Sequence, residues 1–489
     1  MKNGKHFING KWVEGKNFFT TINPSTGEPF GKLQNGRKKE VNEAVKAARN
    51  AFKDWSKKSP KERASYITKV ADLLVRKYGK ERELTGLKTL IMEEMGKRLP
   101  EADVEVIESS DILRYFADKG PLLLKPREIS LNKDLWPTKS SKVFFQPFGV
   151  IGIIKPWNYP LEMPMWALGP ALVAGNTVIL KPSEYASFVG LEIGKMFEEV
   201  GLPEGVLNII TGDSETGKLL VRHSDIDMIS FTGSLEAGKD IAVECAKRLR
   251  KYNLELGGND AAIIEKDADP ELTANGIVWG SFCNSGQVCV RPKRVFVNES
   301  KYEEFLGLLK EKTEGLRKDI DFGPIVSKKQ LFKIEEFIND AIRKGAKCIV
   351  GGKIISDTNG FYFPPTILVN INPNMKIMKE ECFGPVLPLT VVKNTHEAIK
   401  LANESIYGLG ASIWSKDLIR SEENAKSLQA GMVWINDVNV AFPEAPWPSI
   451  KQSGGGIDLS EWSLYDYTIK KHVNIELSND KNRAWWFPY

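Results

Sequence analysis

Two cysteines six positions apart, Cys283 and Cys289, lie in the stretch Phe-Cys-Asn-Ser-Gly-Gln-Val-Cys-Val-Arg-Pro-Lys-Arg that runs from Phe282 to Arg294. Small and polar residues separate them, and the β-branched Val295 and Val297 follow. A glycine-containing turn lets the backbone bend, so a sulfur here can be presented to a ligand. Most free cysteines are small buried hydrophobes. By itself the segment leaves both packing and nucleophilic catalysis open.

Other residues could serve such a nucleophile. Glu255-Leu256-Gly257-Gly258 closes an apolar run and would put a carboxylate at the edge where parallel sheets bind ligands. In Pro156-Trp157-Asn158-Tyr159-Pro160 two prolines stiffen the chain, so Asn158 is held in one direction, as an oxyanion donor or as a cap of the next helix. Lys181-Pro182-Ser183-Glu184 and Thr232-Gly233-Ser234 each follow a short apolar run. The first is a ligand-edge cluster or a solvated loop. The second leads through Gly238 into a helix whose first N–H groups suit a pyrophosphate. Gly212 to Lys218 imitates a phosphate-binding loop, but Leu219 stands where a magnesium-binding hydroxyl is required, so a turn into a helix is expected. Glu380-Glu381-Cys382-Phe383-Gly384-Pro385 places acidic residues before a rigid turn. Arg291 suits a substrate carboxylate or, as the plainer expectation, a structural salt bridge. With only four histidines, none at metal-ligand spacing, a carboxylate is the expected base.

These residues need elements to position them. Gly, Asn, Pro and Thr between residues 7 and 33 point to strands and turns. A helix carries Val41, Ala44, Val45, Ala48 and Phe52 on one face. Ser59, Pro60 and Glu62 announce the next as a capping box, and helical texture continues to about Phe116. Residues 121–148 read as an extended excursion. From Gly149 short apolar runs (150–154, 177–180, 207–210, 228–231, 253–256) alternate with helical pieces. A second such series follows Ala261 (261–264, 294–297, 348–350, 386–392, 411–414, 432–435), and residues 467–477 alternate like a strand. That order implies parallel sheets with helices on both faces: two α/β domains and an arm.

Composition bounds the reading. The 489 residues are 42% hydrophobic and 27% charged with a net charge of +5, an ordinary globular composition. The densest basic patch, residues 247–251, reads as a solvated helix face, and nucleic acid is not indicated. Five cysteines without a CxxC pair suit a reducing compartment better than a disulfide framework or a zinc site. The first residues lack the apolar core of a signal peptide, and no apolar run approaches the ~20 residues of a membrane helix. A soluble cytoplasmic protein with no membrane partner and no metal is expected.

Taken in order, Pro-Trp-Asn-Tyr-Pro, Lys-Pro-Ser-Glu, Phe-Thr-Gly-Ser, Glu-Leu-Gly-Gly, Gly-Gln-Val-Cys and Glu-Cys-Phe-Gly-Pro resemble the motif series of the NAD(P)-dependent aldehyde dehydrogenases. The resemblance runs from Ile22-Asn23-Pro24 to Lys451-x-Ser453-Gly454. It implies a Rossmann-like coenzyme domain (residues 1–122 and 146–258) and an α/β catalytic domain (259–458). A β-strand oligomerisation arm with the C-terminal tail (123–145 and 459–489) completes it. It further implies that Cys289 is the nucleophile, Glu255 the general base, and Asn158 with the Cys289 backbone N–H the oxyanion hole. Lys181 and Glu184 would hold the adenosine ribose, with Ser183 and Trp157 beside them. Gly233 and Ser234 would lie by the pyrophosphate, and Leu256, Glu381 and Phe383 at the nicotinamide end. Cys283 falls outside the nucleophile position and is expected to pack.

The implied reaction converts an aldehyde to its carboxylic acid through a thiohemiacetal and a thioester on Cys289. Glu184 favours NAD over NADP, because a carboxylate near the ribose hydroxyls repels a 2′-phosphate. Small polar aldehydes of the glyceraldehyde, lactaldehyde or succinate semialdehyde type are the expected substrates. The chain departs from the family after Gly454-Gly455-Gly456, where Ile457-Asp458 stands in place of the frequent Arg-Glu, and in the loop 441–447 that would border the substrate mouth. Two alternatives remain at this stage: a CoA-acylating semialdehyde dehydrogenase, and a cofactor-free cysteine hydrolase or binding protein on the same fold. The family arm implies a homodimer or homotetramer, with Trp485-Trp486-Phe487 packed on that assembly.

Overall fold

Strand Val150–Ile154 is buried at every position and pairs in parallel with Met228–Thr232 on one side and Thr177–Lys181 on the other. A strand covered on both faces reads as an unbroken apolar run, which is why Val-Ile-Gly-Ile-Ile shows no alternation. The computed structural model describes residues 1–80, 83–481, 483 and 486. In it a seven-stranded sheet runs in the order Lys251–Glu255, Met228–Thr232, Val150–Ile154, Thr177–Lys181, Leu207–Ile209, His6–Ile8, Lys11–Val13. The first five are parallel, and the N-terminal hairpin adds two antiparallel strands.

A second seven-stranded sheet runs Lys347–Val350, Thr366–Val369, Val386–Val392, Arg294–Asn298, Ala261–Ile264, Gly410–Trp414, Met432–Ile435. It is parallel apart from its Lys347–Val350 edge. A third, antiparallel sheet pairs Thr468–Glu476 with Lys139–Pro147, and that strand with Arg127–Glu128. Asn158, Glu184, Ser234 and Leu256 follow the C-terminal ends of four parallel strands of the first sheet, the place where backbone N–H groups and side chains converge in such sheets.

The helices follow their local signals. Ser59 Oγ accepts the Glu62 N–H at 3.2 Å while the Glu62 carboxylate accepts the Ser59 N–H at 2.8 Å, and the helix Pro60–Tyr78 begins there. Helix Glu162–Ala174 is buried at every position, so its sequence carries no amphipathic stripe. Among the described residues no helix is long and apolar enough to cross a membrane.

Two expectations need correction. The helix Leu99–Leu123 continues past Phe116 and includes Pro121. A proline deletes one i→i−4 bond, but the Leu124 N–H still reaches the Gly120 carbonyl at 3.0 Å and the last turn closes. The basic patch at 247–251 is not a helix face: Leu235–Ala246 has ended, and Leu249 turns left-handed with φ 51°. Arg250 is buried and donates to the carbonyls of Val221 and His223, and Lys251 opens a strand. Trp485 and Phe487 lie outside the described residues. Trp486 stands half exposed, with the Arg483 guanidinium 5.1 Å from its ring.

Candidate active site

Helix Pro270–Phe282 ends in a single tight turn, Cys283–Gly286, in which Asn284, Ser285 and Gly286 all have positive φ (50°, 53° and 70°). Three left-handed residues in succession are costly, and long-range bonds hold them. The Asn284 N–H donates to Glu101 Oε1 at 2.7 Å and Ser285 Oγ donates to the Gly323 carbonyl at 2.7 Å. A Cβ on Gly286 would lie 2.5 Å from the backbone of Gly384, so this position requires glycine. The fully buried Gln287 ties the turn down further by accepting the Val326 N–H at 2.9 Å. The outcome is that Cys289 lines a cavity of about 590 Å³ between the two large sheets.

Asn158 lines the same cavity and is 4% exposed. Its Nδ2 donates one hydrogen to the Gln287 carbonyl at 3.1 Å, and the Asn158 backbone carbonyl accepts from Asn284 Nδ2 at 3.1 Å. The amide is thereby fixed by the cysteine loop itself, not by a helix cap. Trp157, Gly233, Ser234, Leu256, Glu381 and Phe383 also border this cavity. Phe383 meets Trp157 edge-on at 5.5 Å.

An adjoining cleft of about 570 Å³ shares Trp157, Gly233 and Ser234 and is lined by Lys181, Ser183 and Glu184. Lys181 Nζ lies 3.5 Å from Glu184 Oε2. Ser234 caps the helix Leu235–Ala246, accepting the Ala237 N–H at 3.3 Å, and the first helical residues face the cavity. Gly238 has a packing reason: a Cβ there would lie 2.4 Å from the Leu256 side chain. The phosphate-loop imitation is a turn into a helix, with Asp213 capping Ser214–Arg222.

Glu255 ends its strand beside Thr232 but does not line the cavity that holds Cys289. Its Oε1 accepts from Ser449 Oγ at 3.2 Å and its Oε2 has no hydrogen-bond partner. Burial first, and then the Asp458 carboxylate, push its pKa well above the carboxylate range, while Lys155 pulls the other way. Lys155 Nζ donates to Thr232 Oγ1 at 2.8 Å and lies 3.4 Å from Asp458 Oδ2. Asn253 Nδ2 donates to Asp458 Oδ1 at 3.0 Å. The sequence signal for Asp458 was its place in the divergent segment; Lys155, directly before Pro156, gave none.

The Cys289 thiol is pushed up to about 12 by burial, with Lys293 acting against that shift. Cys283 is pushed up to about 12 likewise by burial and accepts weakly from Asn439 Nδ2 at 3.6 Å. Among the described residues Arg291 has no salt-bridge partner. It is fully buried and donates to the carbonyls of Pro292 (2.9 Å), Val386 (3.1 Å) and Cys382 (2.7 Å), so its charge is spent on bracing the turn.

Sequence reasoning missed a group of residues around Tyr159. Its phenol, made less acidic mainly by burial, has Cys283, Glu162, Glu101 and Cys289 as neighbours. Glu162 accepts from Trp166 Nε1 at 3.0 Å and shares a hydrogen bond with Glu108; burial raises both carboxyls. Trp447, from the divergent loop, meets Trp166 at 5.1 Å and Trp434 at 5.9 Å, both edge-on. Glu162 was hidden because it opens a helix that otherwise reads as apolar.

A sequence profile described as the Aldehyde dehydrogenase family matches residues 12–473. The chain is 37% identical over 486 residues to betaine aldehyde dehydrogenase of Bacillus subtilis (strain 168), covering 96% of each. It is 37% identical over 500 residues to the peroxisomal aminoaldehyde dehydrogenase 2 of Pisum sativum, covering 99% of this chain and 97% of that one. Among solved structures, betaine aldehyde dehydrogenase from Staphylococcus aureus in complex with NAD+ superposes with a TM-score of 0.93 at 34% identity, covering 99% of this chain and 97% of that one.

Proposed function

The chain belongs to the aldehyde dehydrogenase family, and on that premise we propose that it oxidises a small aldehyde bearing a cationic end to the carboxylic acid, with NAD as the preferred coenzyme. The observation that carries the reading is that Cys289 and a rigidly held Asn158 border one cavity between the two large sheets.

In this reading the Cys289 thiolate adds to the aldehyde carbon. The second Nδ2 hydrogen of Asn158 and the Cys289 backbone N–H stabilise the oxyanion that forms. The coenzyme supplies a hydride acceptor. A thioester on Cys289 remains, and Glu255 takes a proton from water so that the hydroxide attacks the thioester carbon and releases the acid. The unpartnered Oε2 of Glu255, and the raised pKa that makes its carboxylate a stronger proton acceptor, suit a general base. To act, its carboxyl must swing from Ser449 toward the thioester.

The cleft fits a dinucleotide. A capped helix start at Ser234 and Leu235 suits a pyrophosphate. Lys181, Ser183, Glu184 and Trp157 would hold the adenosine half, and Leu256, Glu381 and Phe383 the nicotinamide half. The first large sheet is thus read as the coenzyme domain and the second as the catalytic domain. The Staphylococcus aureus relative solved with NAD+ supports NAD, and so does the Glu184 carboxylate.

For the aldehyde, the relatives' names point to betaine and amino aldehydes. The residues around Tyr159 agree. Glu108 and Glu162 share one proton and so one negative charge between them, and tryptophan faces attract cations. This reading replaces the glyceraldehyde, lactaldehyde and succinate semialdehyde types expected from the sequence, none of which is cationic. The antiparallel sheet built by Thr468–Glu476 and Lys139–Pro147 is proposed as the arm that pairs subunits. A cytoplasmic location rests on five unpaired cysteines.

The test is coenzyme reduction by the full-length protein over a panel of ω-amino, trimethylammonio, hydroxy and carboxy aldehydes, with NAD and NADP in parallel and CoA present or absent. Reduction that is fastest for a cationic aldehyde with NAD, free of CoA and lost in Cys289→Ala, is expected. Acyl-CoA formation, or no reduction with any aldehyde, would overturn the reading.

A further inference from the structure

Asn284, in the left-handed turn before Cys289, is tied to three separate parts of the chain. It is 4% exposed with φ 50°, a conformation that asparagine and glycine tolerate. Its backbone N–H donates at 2.7 Å to Glu101 Oε1, on the helix Leu99–Leu123. One Nδ2 hydrogen goes to the Asn158 backbone carbonyl at 3.1 Å and the other to the Gln287 carbonyl at 3.3 Å. Its own carbonyl accepts the Gln287 N–H at 3.0 Å and Gln287 Nε2 at 3.1 Å. The Gln287 carbonyl also accepts from Asn158 Nδ2 at 3.1 Å, so two amides meet on one oxygen just before the nucleophile.

The carboxylate that takes the Asn284 N–H is itself held fast. Glu101 Oε2 accepts the Arg98 N–H at 2.9 Å and so closes the start of its own helix. Arg98 Nη2 lies 2.5 Å from Glu101 Oε1, and Arg98 Nη1 donates to the Ile320 carbonyl at 2.6 Å. Asn158 stands in the turn after Val150–Ile154, in the first sheet, whereas the cysteine turn leads into Arg294–Asn298, in the second. The nucleophile and the oxyanion donor therefore come from different sheets, and the bonds of Asn284 cross between them. Neither strand geometry nor helix geometry fixes the distance between two such groups. A crossing hydrogen bond does.

We propose that Asn284 is a positioning residue that sets the oxyanion hole across the gap between the two sheets, with Glu101 as its anchor. Asn284 holds the Asn158 main chain against the loop that carries Cys289. The free Nδ2 hydrogen of Asn158 and the Cys289 N–H then converge on one point. Neither Asn284 nor Glu101 lines the cavity that holds Cys289, so both act through Asn158. Without the tether the two donors drift apart, and a misplacement of about 1 Å costs about 10²-fold. This rests on the reading of Cys289 as the nucleophile and Asn158 as its oxyanion donor, but its test needs neither aldehyde nor coenzyme.

The probe is p-nitrophenyl acetate, applied to the full chain. The Cys289 thiolate adds to its carbonyl carbon, the oxyanion collapses, p-nitrophenolate leaves, and an acetyl thioester stays on Cys289. Stopped-flow absorbance of p-nitrophenolate gives the acylation rate, and peptide mass spectrometry locates the acetyl group. Asn284→Gly keeps the left-handed turn and removes the amide, so it should acylate about 10–100-fold more slowly than the wild type. In an Asn158→Ala background the same substitution should cost less than about threefold, because the donor it positions is gone. Glu101→Ala should follow Asn284→Gly in both backgrounds. Glu101→Gln, which keeps an acceptor for the Asn284 N–H, should stay within about threefold of the wild type. An unchanged rate in Asn284→Gly overturns the proposal. So does a loss that multiplies in full with that of Asn158→Ala, as a general loosening of the fold would give. Should Asn284→Gly not fold, the Glu101→Ala rates with and without Asn158→Ala decide in the same way. A wild type that takes no acetyl group on Cys289 overturns the proposal whether or not aldehydes are oxidised. A wild type acylated at Cys289 but silent with every aldehyde sinks the dehydrogenase reading alone and leaves these rates to decide this one.

Discussion

Lys155 Nζ lies 3.4 Å from Asp458 Oδ2 with both side chains at 1% exposure, and this buried pair acts on the Glu255 carboxyl with opposite signs. Asp458 stands where the family frequently has the glutamate of Arg-Glu, so an acidic side chain is kept beside the proposed base while the arginine is replaced by Ile457.

The pair makes a directional prediction. The Asp458 anion disfavours ionisation of Glu255, so Asp458→Asn should let Glu255 ionise at lower pH. The acid limb of the thioester-hydrolysis rate should then move down by roughly one pH unit. Lys155→Met removes the favourable charge and should move the limb up. Single-turnover rates of acid release between pH 5 and 9 read both shifts. Lys155→Met also strands a buried carboxylate and should cost about 3–5 kcal/mol in urea unfolding.

Glu255 and Asn158 should fail in different steps. Glu255→Gln should retain a burst of nicotinamide reduction equal to the enzyme concentration, followed by a steady state slowed about 10²–10⁴-fold, because only thioester hydrolysis needs the base. Asn158→Ala should slow the burst itself by about 10²–10³-fold. Stopped-flow absorbance separates the two. Equal effects on both phases in Glu255→Gln would remove Glu255 from the hydrolytic step.

Glu162 should govern charge preference. Glu162→Leu should lower kcat/KM for an ω-amino aldehyde at least ~tenfold, equivalent to about 1.4 kcal/mol, while leaving an uncharged aldehyde of equal length within about threefold. The Glu162→Gln variant, which can still accept from Trp166 and donate to the Glu108 carboxylate, should stay within about threefold of the wild type toward the amine. Parallel loss for both substrates would assign Glu162 to packing alone.

His6 links stability to pH. It is fully buried, and burial lowers its imidazole to about 4. In the unfolded chain it titrates near the ordinary 6.5. Above pH 6.5 both states hold it neutral. Below that the unfolded chain takes up a proton the folded one refuses, so stability should fall by about 3 kcal/mol between pH 6.5 and 4. In urea unfolding His6→Gln should lose part of this slope. An unchanged slope would place the acid sensitivity elsewhere.

Much of this protein is legible in one dimension because the determining interactions are local. A parallel strand covered on both faces must be an unbroken apolar run, as in Val150–Ile154. A capping box closes over three residues, as at Ser59 and Glu62. The motif residues Cys289, Asn158, Glu381 and Phe383 meet on one cavity, Asn158 from the turn after Val150–Ile154 and the others from the loops that lead into Arg294–Asn298 and Val386–Val392, and each of those strands shows as an apolar run.

Only the tertiary structure decided the electrostatics and the direction of side chains. Glu255 finds Ser449 and Asp458 about two hundred residues away. Lys293 finds Glu381, and Arg250 and Arg291 find backbone carbonyls instead of solvent or carboxylates. Glu162 is hidden among Trp166, Glu108 and Tyr159. A charge in a sequence carries no mark of its burial. Whether it binds substrate, braces a turn or pairs with another charge depends on which distant groups share its low-dielectric surroundings, and packing alone settles that.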